Sequence, residues 1–187
     1  MTSYKFTGSQ HITAGRGAMV TDAITVSWWG YMDNWSNYTR AISCTESGGW
    51  NFEPNSGKMA FPLYRNGQYI HAIDTVALSS YSGWHHFAAT YDGYKSRIYV
   101  DGILKVTSEE TTTKYPIVYN TTNGIFIAAE AGGSASTPID TKFNGKLSDI
   151  RIYATALSEA DIKELYNTSF IIDNTGKAYA YEYIEAN

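Results

Sequence analysis

Apolar and polar residues alternate along several short stretches of this chain, most clearly near its middle. Segment 84–91 places apolar residues at every second position, and segment 97–100 repeats the pattern. A period of two predicts strands that turn one face towards a core. Asp92-Gly93 and Asp101-Gly102 follow the two segments, and Asp-Gly pairs favour tight hairpin turns. The pattern therefore predicts consecutive antiparallel strands.

Similar runs recur along most of the chain and are separated by turns rich in Gly, Asn and Ser. These predicted strands are 4–6, 24–32, 40–45, 50–53, 59–63, 76–78, 124–129 and 145–153. Many short strands without intervening helices are typical of an antiparallel sandwich and exclude a βαβ winding. The segment 130–141, with several Gly and Ser residues, reads as a loop.

One helix is predicted, over residues 159–167. Ser158 can cap its free amides, and Asp161 stands at the reciprocal position of a capping box. Ile162, Leu165 and Tyr166 form an apolar stripe along one side. We expect this helix to close one edge or end of the sandwich.

The last residues predict a hairpin of their own. Strands at 170–172 and 179–184 flank a turn at 173–176, and tyrosines 179, 181 and 183 share one face. The chain thus divides into a domain at 1–168 and an extension at 169–187. The hairpin either packs on its own domain or acts as an arm that docks on another subunit, which would allow a homo-oligomer through 170–187.

The two central strands resemble the laminin-G-like branch of the concanavalin A-like jelly rolls. That family pairs a Trp-His-x-Val-Ala-x-Thr-Tyr-Asp-Gly strand with an Ile-Tyr-Val-Asp-Gly strand, and 84–93 and 96–102 are similar. Segments 24–29, 143–153 and 156–166 match, in the same order, its early strand, its last core strand and its closing helix. The resemblance covers about residues 4 to 167. It implies an all-β, antiparallel two-sheet jelly-roll sandwich, whose members mostly bind carbohydrate or protein ligands without catalysis.

Composition narrows the class of protein further. The 187 residues suit one domain, and aromatic residues make up 15% of them, which supplies flat faces for a core or for sugars. The net charge is −4 and the 14 basic residues are scattered, so a nucleic-acid partner is not expected. No apolar run is long enough to span a membrane, and no signal peptide is recognisable at the start.

These features place the expected site of action outside the cell or on a virion surface. A recognition domain without an export signal is either a module of a larger secreted protein or a component of a phage particle. Aromatic-rich tails similar to this one follow laminin-G-like domains in phage structural proteins.

Catalytic motifs are missing from the sequence, which predicts that the chain is not an enzyme. Jelly-roll glycosidases carry paired carboxylates on one strand face, and no such series occurs here. No Gly-x-Ser-x-Gly nucleophile motif is present. His85 and His86 are adjacent and point to opposite strand faces, so they cannot hold one ion together. Cys44 is the single cysteine and reads as a small buried residue.

Calcium is the one cofactor that the resemblance makes possible. Many relatives carry Phe-Asp-Gly-x-Asp-Asp after the first strand, whereas residues 6–11 here lack these carboxylates. Glu46, Glu130 and Asp140 remain as candidate ligands, because calcium prefers carboxylate and backbone oxygens.

A sugar site requires exposed aromatic rings beside hydrogen-bonding groups. Two segments meet this description, 31–40 and 46–51. The predicted ligand-binding residues are Asn34, Trp35, Tyr38, Arg40 and Trp50. Ordinary anchoring of loops by Trp35 and Trp50 is the alternative.

The sequence therefore predicts a non-catalytic recognition or adhesion module that binds a glycan or cell-surface polysaccharide and is displayed on a virion or cell. The alternative is a structural or decorating subunit of a phage particle that acts through contacts with other virion proteins.

Overall fold

The computed structural model of the chain describes residues 3–32, 39–132, 134–140, 143–168, 170–172 and 178–180. The strands in these ranges are β1 (Tyr4–Thr7), β2 (Ile12–Gly15), β3 (Ile24–Met32), β4 (Ile42–Ser43), β5 (Asn51–Asn55), β6 (Lys58–Arg65), β7 (Gln68–Ala77), β8 (Trp84–Tyr91), β9 (Ser96–Val100), β10 (Ile103–Thr107), β11 (Ile125–Ile127), β12 (Asn144–Tyr153), β13 (Phe170–Ile172) and β14 (Ala178–Ala180). The helix is α1 (Glu159–Thr168), and a short 3-10 helix spans Leu78–Ser80.

Twelve of these strands form two six-stranded antiparallel sheets. The first sheet has the order β1-β12-β3-β8-β9-β10, and the second has the order β2-β11-β4-β5-β6-β7. Each sheet combines consecutive strands with neighbours that are far apart in the chain, such as β1 and β12 or β2 and β11, as in a jelly roll. The predicted all-β two-sheet sandwich is confirmed.

The core lies between the two sheets and is built around aromatic rings. Trp28 of β3 pairs in register with Phe87 of β8, and their rings stack at 4.7 Å between centroids. Phe52 of β5, in the other sheet, meets Trp28 edge-on at 5.8 Å. All three side chains are fully buried, and burial of each such ring stabilises the fold by about 2–3 kcal/mol. The alternation in the sequence thus marks the inward faces correctly.

The sequence pattern did not predict β2, β10 or most of β7. The predicted run 76–78 covers only the end of β7, which extends from Gln68 to Ala77. Its inward positions include Ala72 and Asp74, both buried, whereas Tyr69 and His71 point outward. Because inward and outward positions differ little in polarity, the strand lacks the contrast that the prediction needed.

The capping box predicted for α1 is present. The Asp161 amide donates to Ser158 Oγ at 3.2 Å, and the Ser158 amide donates to Asp161 Oδ2 at 2.9 Å. These hydrogen bonds satisfy amides that have no partner within the helix. The Ser158 hydroxyl also donates to Asp161 Oδ2 at 2.6 Å, and this hydrogen bond, together with that from the Ser158 amide, lowers the pKa of the Asp161 carboxyl.

The helix lies on the outer face of the first sheet, not at an edge or end as the sequence suggested. Ile162 is fully buried in a cluster with Ala88 and Tyr99, which point away from the main core. Tyr166 stacks on Trp29 at 5.7 Å. The helix therefore covers the outer face of the first sheet at β3, β8 and β9.

The C-terminal hairpin is a separate two-stranded sheet. Phe170 pairs with Ala180 and Ile172 with Ala178. The turn at 173–177 and tyrosines 181 and 183 lie outside the described residues. The division of the chain at residue 168 remains a prediction.

Candidate functional site

The outer face of the second sheet carries an open cleft of about 460 Å³. This volume lies within the range of small-ligand sites. The cleft is lined by Arg40, Thr45, Glu46, Ser47, Asn51, Glu53, Pro62, Tyr64, Tyr69 and His71.

Strand alternation places polar side chains in this cleft. In β5, Phe52 points to the core while Asn51 and Glu53 point outward. In β6, Leu63 points to the core while Tyr64 points outward. Because successive side chains of a strand point to opposite faces, burial of one residue in the core turns its neighbour towards the cleft. The aromatic core therefore fixes the positions of the cleft residues.

Arg40 forms the charged centre of the site. Its Nη2 lies 3.0 Å from Glu53 Oε2 and its Nη1 lies 2.9 Å from Glu130 Oε2. The Arg40 and Glu53 side chains are about one-tenth exposed, so the ion pairs are largely withdrawn from water. Burial raises the pKa of both carboxyls, and the Arg40 charge opposes this rise. The result is a rigid acid-base-acid arrangement at one end of the cleft.

Two tyrosines form the aromatic wall of the cleft. Tyr64 and Tyr69 pack edge-on with their centroids 4.9 Å apart, and the His71 ring lies 6.5 Å from Tyr69. The Tyr69 hydroxyl accepts from the Gly48 amide at 3.0 Å and donates to the Gly48 carbonyl at 3.3 Å. Desolvation lowers the pKa of the His71 imidazole, so this ring is neutral at pH 7. The wall thus offers aromatic faces without a formal charge.

The loop over residues 46–49 is held in one conformation by close packing. Gly49 has a φ of +75°, and a Cβ there would collide with the Cys44 carbonyl. Only glycine fits both the left-handed backbone and this close approach. Gly49 therefore fixes the shape of this loop.

Asn51 carries the most informative polar group in the cleft. Its side chain is 3% exposed, and Nδ2 donates to Thr45 Oγ1 at 3.3 Å. Its Oδ1 has no hydrogen-bond partner within the described part of the protein. A buried acceptor left unpaired costs free energy, so this oxygen is poised for a donor on a ligand or a water molecule.

The predicted binding residues have different positions in the structure. Arg40 lies in the cleft as expected. Trp50 does not present a free ring: it is fully buried, and its Nε1 donates to the Tyr119 hydroxyl at 3.2 Å. The Trp50 ring packs near Phe61, and the Trp50 backbone bridges that of Leu63. Burial of the ring in the core is therefore more favourable than its exposure on the surface. Asn34, Trp35 and Tyr38 lie outside the described residues.

The three candidate calcium ligands lie near one another but have other partners. Glu130 binds Arg40, and burial together with the nearby Glu46 raises the pKa of the Glu130 carboxyl. Asp140 meets Glu130 through a backbone bridge. Across the described ranges, no three His, Cys, Asp or Glu side chains are grouped as metal ligands. Calcium binding stays a prediction.

Sequence reasoning missed Asn51, Glu53, Tyr64, Tyr69 and His71. Segment 46–51 includes Asn51, but the prediction there rested on the ring of Trp50, and the other four residues lie within strands outside the predicted segments. The sequence signal for this site was Glu53, a charged residue between Phe52 and Pro54, because a carboxylate rarely occupies a strand without a partner.

The sequence profile of the concanavalin A-like lectin/glucanases superfamily matches residues 6–163. The chain belongs to this superfamily. The match spans nearly all of the two sheets of the sandwich and the first half of α1, as the resemblance of the central strands implied. No curated protein matches the sequence.

Several solved structures share the fold at low sequence identity. Domain 4 of AbnA, a GH43 extracellular arabinanase from Geobacillus stearothermophilus solved with arabinotriose, has a TM-score of 0.63 at 18% identity, over 88% of this chain and 76% of that one. The heptameric SAP-like pentraxin from Limulus polyphemus has a TM-score of 0.60 at 18% identity, over 88% and 81%.

The binding domain of botulinum neurotoxin serotype G has a TM-score of 0.64 at 20% identity, and the match covers 88% of this chain. This chain corresponds to only 42% of that domain. At these identities the similarity shows the fold alone.

Within the described ranges, no helix has the length and apolar character needed to cross a bilayer.

Proposed function

We propose that the chain is a non-catalytic carbohydrate-recognition module, and that its ligand binds in the cleft on the outer face of the second sheet. The observation that carries this proposal is the combination of aromatic and hydrogen-bonding side chains in one open cleft of ligand size. A sugar presents apolar C–H faces and hydroxyl edges, and Tyr64, Tyr69 and Asn51 match both.

The chemistry of the cleft favours binding over catalysis. Glycoside hydrolysis uses one carboxylic acid and one carboxylate on either side of the scissile bond. Here Glu53 and Glu130 both bind the Arg40 guanidinium, so neither is placed as a free acid. The arabinotriose complex of the similar arabinanase domain also supports a sugar ligand for this fold.

We also propose that the module is displayed on a cell or virion surface, where it can reach glycans. The proposed site also includes the segment that leads into Arg40, where the sequence singles out Trp35 and Tyr38. Both lie directly before Thr39 and Arg40 in the chain, and Arg40 lines the cleft.

A glycan array that includes bacterial cell-wall polysaccharides tests this function, followed by calorimetric titration of the strongest hits. Tyr64→Ala should weaken binding about five- to tenfold, because it removes one aromatic face from the wall. Tyr94→Ala is the matched control, since Tyr94 is also partly exposed but lies in the turn after β8. Trp35→Ala should weaken binding as well.

The same titrations in EDTA test calcium. Binding that disappears in EDTA and returns with added calcium would establish a metal requirement. An array without any saturable ligand for the folded chain, or a Tyr64→Ala variant that binds as tightly as Tyr94→Ala, would contradict the proposed cleft.

A second function, assembly through the C-terminal hairpin, is favoured by one observation. Among the described strands, β13 and β14 pair only with each other and join neither sheet of the sandwich. An arm of this kind can dock on another subunit or on a virion protein. Deletion of 170–187 should leave a folded monomer and abolish assembly, as measured by light scattering. An unchanged oligomer would remove this function.

A further inference from the structure

The cleft is unusual in its supply of hydrogen-bonding groups: acceptors dominate. Glu46, Glu53 and the unpartnered Oδ1 of Asn51 all belong to its lining. The Asn51 and Glu53 side chains are more than nine-tenths buried, so their acceptor strength is little reduced by water. A ligand that enters the cleft meets oxygen atoms that need donors.

The cationic groups of the cleft do not offset these acceptor oxygens. The two terminal nitrogens of Arg40 contact Glu53 and Glu130. His71 is neutral at pH 7 because its pKa is lowered by desolvation. Tyr64 and Tyr69 carry no charge in this range. The charged lining is therefore one guanidinium against the carboxyls of Glu46, Glu53 and the adjoining Glu130.

Glu130 adds a further carboxyl beside Glu46. Burial and the repulsion from Glu46 raise the pKa of the Glu130 carboxyl. Glu46 is exposed at the rim of the cleft, where a cationic group of a ligand can reach it. The site thus keeps an excess of negative charge that a positively charged ligand group can neutralise.

We propose that this cleft selects glycans that carry a free amine, and that it discriminates against N-acetylated and acidic glycans. This inference rests on the proposed function and names its ligand class. An ammonium group has three donors and no acceptor, which complements Asn51 Oδ1 and the carboxylates of Glu46 and Glu53. Its hydrogen bonds to carboxylates are charge-assisted and about twice as strong as neutral ones.

The alternatives at the same sugar carbon are poorer partners. A hydroxyl offers one donor without charge, and an acetamide offers one donor together with a carbonyl acceptor that would face other acceptors. A uronic carboxylate would meet like charges, which is a standard source of discrimination between ligands. The expected order of affinity is therefore ammonium, hydroxyl, acetamide and carboxylate.

Calorimetric titrations with matched tetrasaccharides test this order. Glucan and galactan backbones that differ only at C2, with hydroxyl, acetamide or free amine, are compared with their uronic-acid forms at about pH 6, where the amine is protonated. EDTA is present so that a bound divalent cation cannot bridge ligand and carboxylates. We expect the amine form to bind about tenfold more tightly than the acetamide form.

Variants locate the source of the selection. Glu46→Gln and Glu53→Gln should each reduce severalfold the ratio of the affinities for the amine form and the hydroxyl form, measured on the same variant so that any general change in binding cancels. Glu164→Gln makes the same change of charge on the exposed side of α1, so it should keep the full preference. An equal loss of preference in all three variants would mean that only the net charge of the protein matters, which overturns the inference.

Other outcomes separate this inference from the proposed function. Equal affinity for the three C2 forms, or preference for the acidic form, would overturn amine selection and leave carbohydrate recognition standing. The same conclusion holds if the tetrasaccharides fail while the array yields a neutral or acidic ligand. Absence of any glycan ligand in both experiments would overturn both proposals.

Discussion

The outer faces of the two sheets carry similar side chains in opposite surroundings. On the first sheet, Trp29, His86 and Tyr99 lie beneath α1 and are almost completely buried. On the second sheet, Tyr64 and His71 occupy equivalent outward positions and line an open cleft. Strand alternation specifies that a side chain points away from the core, and a tertiary element decides whether it meets water.

The two histidines make this difference measurable. Burial lowers the pKa of His86 to about 4, and its Nδ1 has no hydrogen-bond partner in the described structure. Desolvation also lowers the pKa of His71, which stays partly open to solvent. The outer face of the first sheet therefore buries its polar residues beneath α1, whereas the outer face of the second sheet leaves them accessible to a ligand.

Removal of the main anchor of α1 should have the largest effect. Ile162→Ala deletes a fully buried side chain from the cluster with Ala88 and Tyr99. We expect a loss of about 2–5 kcal/mol in the free energy of unfolding, from lost burial and the cavity left behind. Urea unfolding monitored by tryptophan fluorescence measures it.

Ile103→Ala is the matched control on the same sheet, because Ile103 is 60% exposed. Its effect should stay within about 0.5 kcal/mol. Equal effects of the two variants would show that α1 does not cover the first sheet in solution.

Acid should destabilise the covered face through His86. Its folded-state pKa is about 4 and its unfolded value is near 6.5, so the unfolded state binds more protons between these values. Stability then falls as the pH decreases from about 6.5 to 4, by about 3 kcal/mol in total. His86→Phe should remove this part of the pH dependence in urea unfolding.

His71→Phe provides the comparison on the open face. Since His71 is partly hydrated, this variant should keep nearly all of the wild-type pH dependence. A His86→Phe variant whose stability still falls like that of the wild type would mean that water reaches the His86 ring and that the covering by α1 is wrong.

A small effect on stability is expected for Asn51. Asn51→Ala removes an acceptor that has no partner in the described structure, together with the hydrogen bonds of the amide to Thr45 and Glu53. Stability should change by less than about 1 kcal/mol, whereas binding of the glycan hits should weaken severalfold. A large loss of stability with unchanged binding would assign Asn51 to the fold.

The sequence predicted the inward faces well because burial repeats along a strand. Phe52 and Phe87 alternate with polar or small neighbours, and this pattern depends on local geometry alone. The capping box of α1 was predictable for the same reason, since Ser158 and Asp161 act within one turn.

The cleft was not predictable because it joins residues that are distant in sequence. Arg40 binds Glu130 across 90 residues of chain, and Tyr69 fixes the loop at Gly48. Trp50 looked like an exposed ring after two glycines, yet the isolated bridge to Leu63 places it in the core. Only the pairing of the strands shows which face is left open.

Chemical-shift mapping tests most directly whether the open face of the second sheet is the binding site. The labelled chain is titrated with chitotetraose, its deacetylated form and arabinotriose. The account predicts that the resonances which shift belong to Asn51, Tyr64 and Tyr69, with those of Tyr99 and Tyr166 unchanged. Shifts confined to the face beneath α1, or none with any of the three sugars, would contradict it.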